Sequence, residues 1–205
     1  MTAGGPVVAT AEVVVGAKPD EAFAIFTDEV GLWWRPGTAY WNDPERGLTV
    51  RIESHVGGRF LEVHDLDTGE GFEVGRVTAW EPGRRLALTW TQVGWPEDAA
   101  TDVEISFEPC DDGTRVRLRH SGFERVPDAA AFVGGYDAGW KELLGWFAGH
   151  ENKALETAPI HFPAHAEWLQ RFHADGRALM ADAVGDSERE GSMAIFSSRD
   201  AAETS

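Results

Sequence analysis

The sequence predicts an α+β domain: a curved antiparallel sheet of about seven strands around one long helix near residues 129–150, with an extra C-terminal helical segment beyond it. Three observations predict it. Apolar and β-branched residues cluster or alternate in seven strand-like runs, one at the N-terminus and six between residues 48 and 123. The six are separated by turn sequences such as "VGG", "DLDTGE", "EPGR" and "CDDG", which suit antiparallel neighbours rather than crossovers. The period then switches in "YDAGWKELLGWFAGH" (136–150), where Tyr136, Trp140, Leu143, Leu144 and Phe147 fall on one helical stripe.

Residues 1–6 are small and read as a frayed leader. "VVATAEVVV" (7–15) is the first strand. In "AKPDEAFAIFTD" Pro19 suits a first helical turn, Asp20 and Glu21 suit the positive helix end, and Ala22, Phe23 and Phe26 share a face. "EVGLWWRPG" predicts a second short helix ended before Pro36, and residues 36–47 a loop carrying Tyr40 and Trp41. The strand runs that follow are 48–55, 58–65, 70–80, 84–90, 101–109 and 114–123, with a longer loop at 92–100. In the last two runs Val103, Ile105 and Phe107 oppose an outer acidic stripe, while Val116, Leu118 and His120 oppose Arg115, Arg117 and Arg119. Acidic and basic stripes side by side favour pairing of these two strands. The helix at 129–150 completes the domain, 7–150. Residues 151–185 read as a helical extension: Pro163 marks a helix start, and Trp168, Leu169, Phe172, Leu179 and Met180 give an apolar face on a helix over 163–183 that packs on the domain or on a second copy. Residues 186–205 lack a sustained period and read as a disordered tail, with "MAIF" a short contact.

The composition narrows the function. The 205-residue chain carries 35 acidic and 18 basic residues, a net charge of −17. No basic footprint is visible, which argues against nucleic acid and against an anionic membrane surface. No apolar run approaches the ~18–20 residues that span a bilayer, so membrane insertion is not expected. Cys110 is the single cysteine, which excludes an intramolecular disulfide or a thiolate cluster within one chain. Without a basic n-region and apolar h-region at the start, a cytoplasmic protein is the expectation.

The pieces "KPDEAFAIFTD", "GGRF" (57–60), "GRVTAWEPGRRLALTW" (75–90), "DVEISFEPCDDGTRVRLRHSGF" (102–123) and "GWKELL" (139–144), in this order, resemble the START-like, or SRPBCC, superfamily with its helix-grip fold. Within it the chain is similar to the branch named after the activator of the heat-shock-protein-ninety ATPase, the AHSA-type domain. The resemblance covers roughly residues 7–150. It implies an apolar small molecule held between sheet and helix, or cyclase, dehydratase or hydrolase chemistry there, or a co-chaperone or regulatory interaction role. Fold analogy does not choose among these.

Nine tryptophans in this length suit a ring-walled pocket as well as a core. The expected ligand-binding set is Phe72, Trp90, Phe107 and His120 from the strands, Trp33 and Trp34 at the pocket mouth, and Tyr136 and Trp140 from the long helix, with Leu143, Leu144 and Phe147 as ordinary core. His120 shares parity with Val116 and Leu118. It reads either as a core histidine bonded to a neighbour or as a polar anchor or acid/base, with His64, Glu62 and Tyr136 the other acid/base candidates. His161, His165 and His173 do not form a metal set, because Pro163 separates the first two and no HExxH occurs. There is no GxSxG elbow, P-loop or dinucleotide fingerprint, so no cofactor is expected. The partner expectations are an apolar small molecule and a homodimer through the C-terminal extension. Gly139, beside Trp140, marks a close approach of sheet or ligand to the helix.

Overall fold

A computed structural model of the protein describes residues 7–127, 133–174, 178–183 and 192–196, with side chains for 7–127 and 133–155. The expectations for residues 1–6, and for side chains beyond 155, including Trp168, Leu169, Phe172 and the histidines at 161, 165 and 173, lie outside the described residues. The chain divides into two units, Met1–Lys153 and Ala154–Ser205.

The first unit is a curled seven-strand antiparallel sheet gripping a helix. Its elements are β1 (Ala9–Val15), α1 (Pro19–Asp28), α2 (Val30–Trp33), β2 (Thr49–Ile52), β3 (Arg59–Val63), β4 (Gly71–Glu81), β5 (Arg85–Trp90), β6 (Thr101–Cys110), β7 (Gly113–Ser121), a 3₁₀ turn at Phe123–Arg125, and α3, which begins at Val133. The strand order is β1-β7-β6-β5-β4-β3-β2. Six strands form a meander, and β1 closes onto β7 by pairing Val13 with Val116 and Ala9 with His120. Register is fixed by alternation. In β6 and β7 Val103, Ile105, Phe107, Val116, Leu118 and His120 are buried, because a shift by one residue would turn this whole set outward. On the outer face Glu12 meets Arg115 and Arg117, Glu108 meets Arg117, and Arg85 meets Glu104. These exposed pairs align the strands but are each worth little.

Helix α1 starts as its sequence demands, with Pro19 in the first turn and the Glu21 carboxylate accepting the Lys18 backbone N–H at 3.2 Å. It turns Ala22, Phe23, Ile25 and Phe26 into the sheet. Helix α3 lies in the concavity and is tied at both ends of its domain portion. Asp137 accepts the Thr10 N–H of the edge strand at 2.7 Å, and the fully buried Glu151 accepts the Ala17 N–H at 2.7 Å.

Beyond the domain the structure differs from the sequence reading. Helix α3 continues through Pro163 to Ala174, where a separate helix from 163 to 183 was expected. Ala178–Ala183 is a strand, β8, antiparallel to β9 at Ser192–Phe196, inside the segment expected to be a disordered tail. The physical reason is that "ALMADA" and "SMAIF" are short apolar runs. Periodicity alone does not separate helix from strand at that length.

Candidate functional site

The concave side holds two ring clusters that meet at neighbouring tryptophans. The first is built by α1, the end of α2, β6 and the middle of α3. Phe26 packs edge-on against Phe107 at 5.7 Å and Phe147 at 5.1 Å, and Phe23 packs on Phe107 at 5.2 Å and Trp80 at 5.1 Å. Trp33 closes it against Phe26 and Phe147. The indole N–H of its fully enclosed tryptophan is satisfied: Trp33 donates to the Phe26 carbonyl at 3.2 Å. Phe107 and Trp33, expected in the ligand set, belong here. Trp33 is 2% exposed and not at a mouth, because α2 ends at that residue and its ring is carried down onto α1.

The second cluster joins Trp34, Phe60 of β3, Trp90 of β5, His120 of β7, Phe123 of the 3₁₀ turn, and Tyr136 and Trp140 of α3. Trp90 touches Trp140 at 5.1 Å and Phe60 at 5.8 Å; Trp34 touches Phe60 at 5.7 Å and Trp140 at 6.1 Å. Trp34 and Trp90 lie nearly parallel, with centroids 6.2 Å apart and planes at 29°. Tyr136 and Phe123 flank the imidazole at 4.7 and 4.4 Å. Trp34, also expected at a mouth, is 4% exposed. Phe72 lies opposite Glu62 in the β3–β4 register and is half-buried, and among the described residues no ring contact of the cluster includes it.

Polar atoms distinguish this second cluster. His120 is fully buried, with Trp140 Nε1–H donating to its Nδ1 at 3.0 Å and Thr101 Oγ1 lying 2.6 Å from its Nε2. An indole nitrogen only donates. Nδ1 is therefore an acceptor, the neutral ring carries its proton on Nε2, and Nε2 donates to Thr101. The Thr101 hydroxyl then donates to the Trp90 carbonyl at 3.2 Å. The tautomer is set by this chain, and burial pushes the imidazole pKa down to about 3. Burial also pushes the Tyr136 phenol well above its ordinary range, and its hydroxyl donates to Gln92 Oε1 at 2.5 Å. Two further donors are buried without a hydrogen-bond partner, Trp34 Nε1 and Trp90 Nε1. The Trp90 group faces the Tyr136 hydroxyl closely enough to favour its ionised form, yet falls short of hydrogen-bond geometry. Trp34 is therefore the clearer case.

The other acid/base candidates have settled partners. Glu62 is 1% exposed, and its carboxylate accepts the Asn42 and Asp43 backbone N–H groups at 2.6 and 2.7 Å and faces His64 Nε2 at 3.1 Å. Thr101 was legible by parity, since it opens the inward series Val103, Ile105, Phe107. Phe60 was legible in the same way beside Glu62. Gln92 sits in a loop and Phe123 beyond a left-handed Gly122 (φ 85°), where alternation stops, and nothing in the local pattern marks them. A groove of about 670 Å³ lies elsewhere, lined by Thr10, Glu12, Glu104, Ser106, Arg117, Arg119 and Lys141 among others. Glu12, Glu104 and Arg117 there are already ion-paired, and the groove shares no ring with the clusters. Among the described residues no helix is long and apolar enough to cross a membrane, and no group of His, Cys, Asp and Glu gathers as a metal site.

A family model described as "Activator of Hsp90 ATPase homolog 1-like protein" matches residues 16–149. No curated protein sequence matches the chain. Among solved structures, a protein from Mesorhizobium loti is 22% identical with a TM-score of 0.52, covering 73% of this chain and 98% of its own. A protein from Nitrosomonas europaea is 14% identical with a TM-score of 0.54, covering 75% and 99%. The Aha1 dimer from Colwellia psychrerythraea is 21% identical with a TM-score of 0.51, covering 75% and 98%. These likenesses establish the helix-grip fold.

Proposed function

Since this chain belongs to the family of activator of Hsp90 ATPase homolog 1-like proteins, whose model covers residues 16–149, we propose that it binds a flat aromatic small molecule bearing a hydrogen-bond acceptor. The site is the second ring cluster, with Trp34, Trp90, Tyr136 and Trp140 as walls and His120 as a fixed polar anchor. One observation carries this reading: the Trp34 indole N–H is buried in an aromatic wall with no partner. A buried donor left unpaired costs about 1–3 kcal/mol. A ligand carbonyl or phenolate oxygen in reach of it removes that cost and gains orientation. The near-parallel Trp34 and Trp90 suit a planar guest, which needs ~7 Å between ring planes for van der Waals contact on both sides. Binding therefore asks these rings to part.

Binding fits the site better than acid/base chemistry. His120 has both nitrogens engaged and stays neutral, and Glu62 is committed to two backbone amides. Neither offers a free proton-transfer atom to a guest. A cytoplasmic location and a homodimer through residues beyond 150 belong to the same proposal, and the elution volume of a chain ending at residue 155 against that of the full chain tests the dimer.

The reading is tested with 9-fluorenone and fluorene, two planar molecules that differ by a carbonyl for a methylene. Tryptophan fluorescence is titrated with each. Fluorenone is expected to bind about tenfold more tightly, the worth of one hydrogen bond to a buried donor. Equal affinities, or no saturable quenching by either, would remove the reading.

A further inference from the structure

The segment between α2 and β2 runs from Trp34 of the second cluster to strands and helix that wall it, and its attachments fall into a firm set and a weak set. The firm set is at residues 41–43. Trp41 is buried at 6% exposure, and its indole N–H donates to the Arg35 carbonyl at 2.7 Å. The next two backbone N–H groups are held by the buried Glu62 carboxylate, and Asn42 Oδ1 accepts the Val93 N–H of the β5–β6 loop at 3.0 Å. Hydrogen bonds to an ionised acceptor are roughly twice as strong as neutral ones. The weak set is at Tyr40. Its ring rests edge-on against Trp146 of α3 at 5.5 Å, and its hydroxyl donates to Glu142 at 2.6 Å in an exposed contact.

What lets Tyr40 sit on α3 is Gly139. A Cβ at that position would lie 2.9 Å from Tyr40 Cε1, too close for an unmoved ring. The missing side chain is a notch into which the ring fits, at a point one residue from Trp140. At the other end, Gly37 has a positive φ of 70°, a conformation glycine adopts without cost, with open space where a side chain would point. The segment thus joins Trp34 at its root, α3 at Tyr40, and β3 and the β5–β6 loop at Asn42. The rings of the second cluster come from Trp34, α3, β3 and the end of β5, so the segment ties together the elements that wall the site.

We infer that residues 36–40 form a gate over the second ring cluster, pivoting at Gly37, held at its far side by the firm set at 41–43, and latched by Tyr40 in the Gly139 notch. When the latch leaves the notch, solvent reaches the Trp34 indole while the first cluster stays shut. What the gate admits rests on the ligand-binding reading; that it opens does not.

The test uses the full chain without ligand. Hydrogen exchange of the indole N–H groups of Trp34 and Trp33 is followed by NMR, with resonances assigned from single Trp→Phe variants. The two residues are neighbours in sequence but sit in different clusters, so Trp33 reports whole-molecule opening. Gly139→Ala pushes the ring out while giving α3 a better helix former, an effect opposite in sign to general destabilisation. It is expected to speed Trp34 exchange at least tenfold and leave Trp33 unchanged. Tyr40→Phe, which keeps the ring and loses only the Glu142 bond, is expected to give a smaller increase of the same kind. Parallel acceleration of both indoles, or no change at Trp34 in either variant, overturns the gate. If Trp34 responds as expected and fluorenone still does not bind, the gate stands and the ligand reading falls; if both hold, fluorenone association quickens in the same variants.

Discussion

The two ring clusters share one sheet, one helix and one bonded pair of residues, yet they are organised by different rules. The Phe23–Phe26–Trp33–Phe107–Phe147 cluster contains one polar atom, and that atom is paired. The Trp34–Phe60–Trp90–His120–Tyr136–Trp140 cluster contains a hydrogen-bonded chain of four groups and a buried indole donor, that of Trp34, without a partner. An interior optimised only for stability satisfies its donors or replaces them by apolar groups. Ring density therefore does not distinguish core from site in this fold, whereas the pairing of polar atoms does.

The largest effect that would sharpen this contrast is at Phe147, which is fully buried and touches Phe26 and Trp33. Phe147→Ala is expected to cost ~3–5 kcal/mol of stability, the range for a buried ring removed from a packed core. Urea denaturation measures it. Fluorenone affinity in the same variant, measured while it remains folded, is expected to stay within about twofold of the parent, since the ring is not a wall of the second cluster. A large change in affinity would show the clusters to be one unit.

The next effect is pH dependence, and it belongs to the second cluster. The folded pKa of His120 is depressed to about 3 from an ordinary 6.5. Between those values the unfolded chain binds a proton that the folded chain refuses. Stability therefore falls as the pH drops through this window, by up to ~1.4 kcal/mol per pH unit. Glutamine at this position offers the same acceptor and donor without titrating. Relative to His120→Gln, the parent protein is expected to lose stability progressively from about pH 6 to pH 4. Denaturation curves across that range check it. Parallel pH profiles would mean that the imidazole is not shut in by its neighbours.

How much of this was legible in the sequence follows from the same contrast. The strand series, the α1 cap and the stripe Trp140–Leu144–Phe147 were readable, since alternation and helical period report burial directly. His120 was placed inward by parity with Val116 and Leu118, and both a bonded core histidine and a polar anchor were open readings. Its tautomer was not readable, because that depends on Trp140 and Thr101 arriving from other elements. Trp33 and Trp34 look identical in "GLWWRP", and only the three-dimensional turn after α2 sends one to each cluster. The Tyr40–Gly139 contact spans about a hundred residues of sequence, so a glycine on the helix face could be flagged without its partner being named.

The smallest effect separates those neighbours most sharply. Trp33 and Trp34 are equally buried, at 2% and 4% exposure, and replacing either by phenylalanine removes the same volume and one N–H. The cavity cost is then comparable, and the difference between the two variants isolates the polar atom. Trp33→Phe strands the Phe26 carbonyl that the indole had satisfied. Trp34→Phe removes a donor that had no partner to lose. Trp33→Phe is therefore expected to be less stable than Trp34→Phe by about 1 kcal/mol, the net worth of one hydrogen bond. Binding is expected to move the other way. Trp34→Phe reduces the preference for fluorenone over fluorene several-fold, while Trp33→Phe leaves it unchanged. Paired denaturation and titration of the two variants decide it. If both lose stability equally and keep the preference, the unpartnered Trp34 donor is an accident of packing and not part of a site.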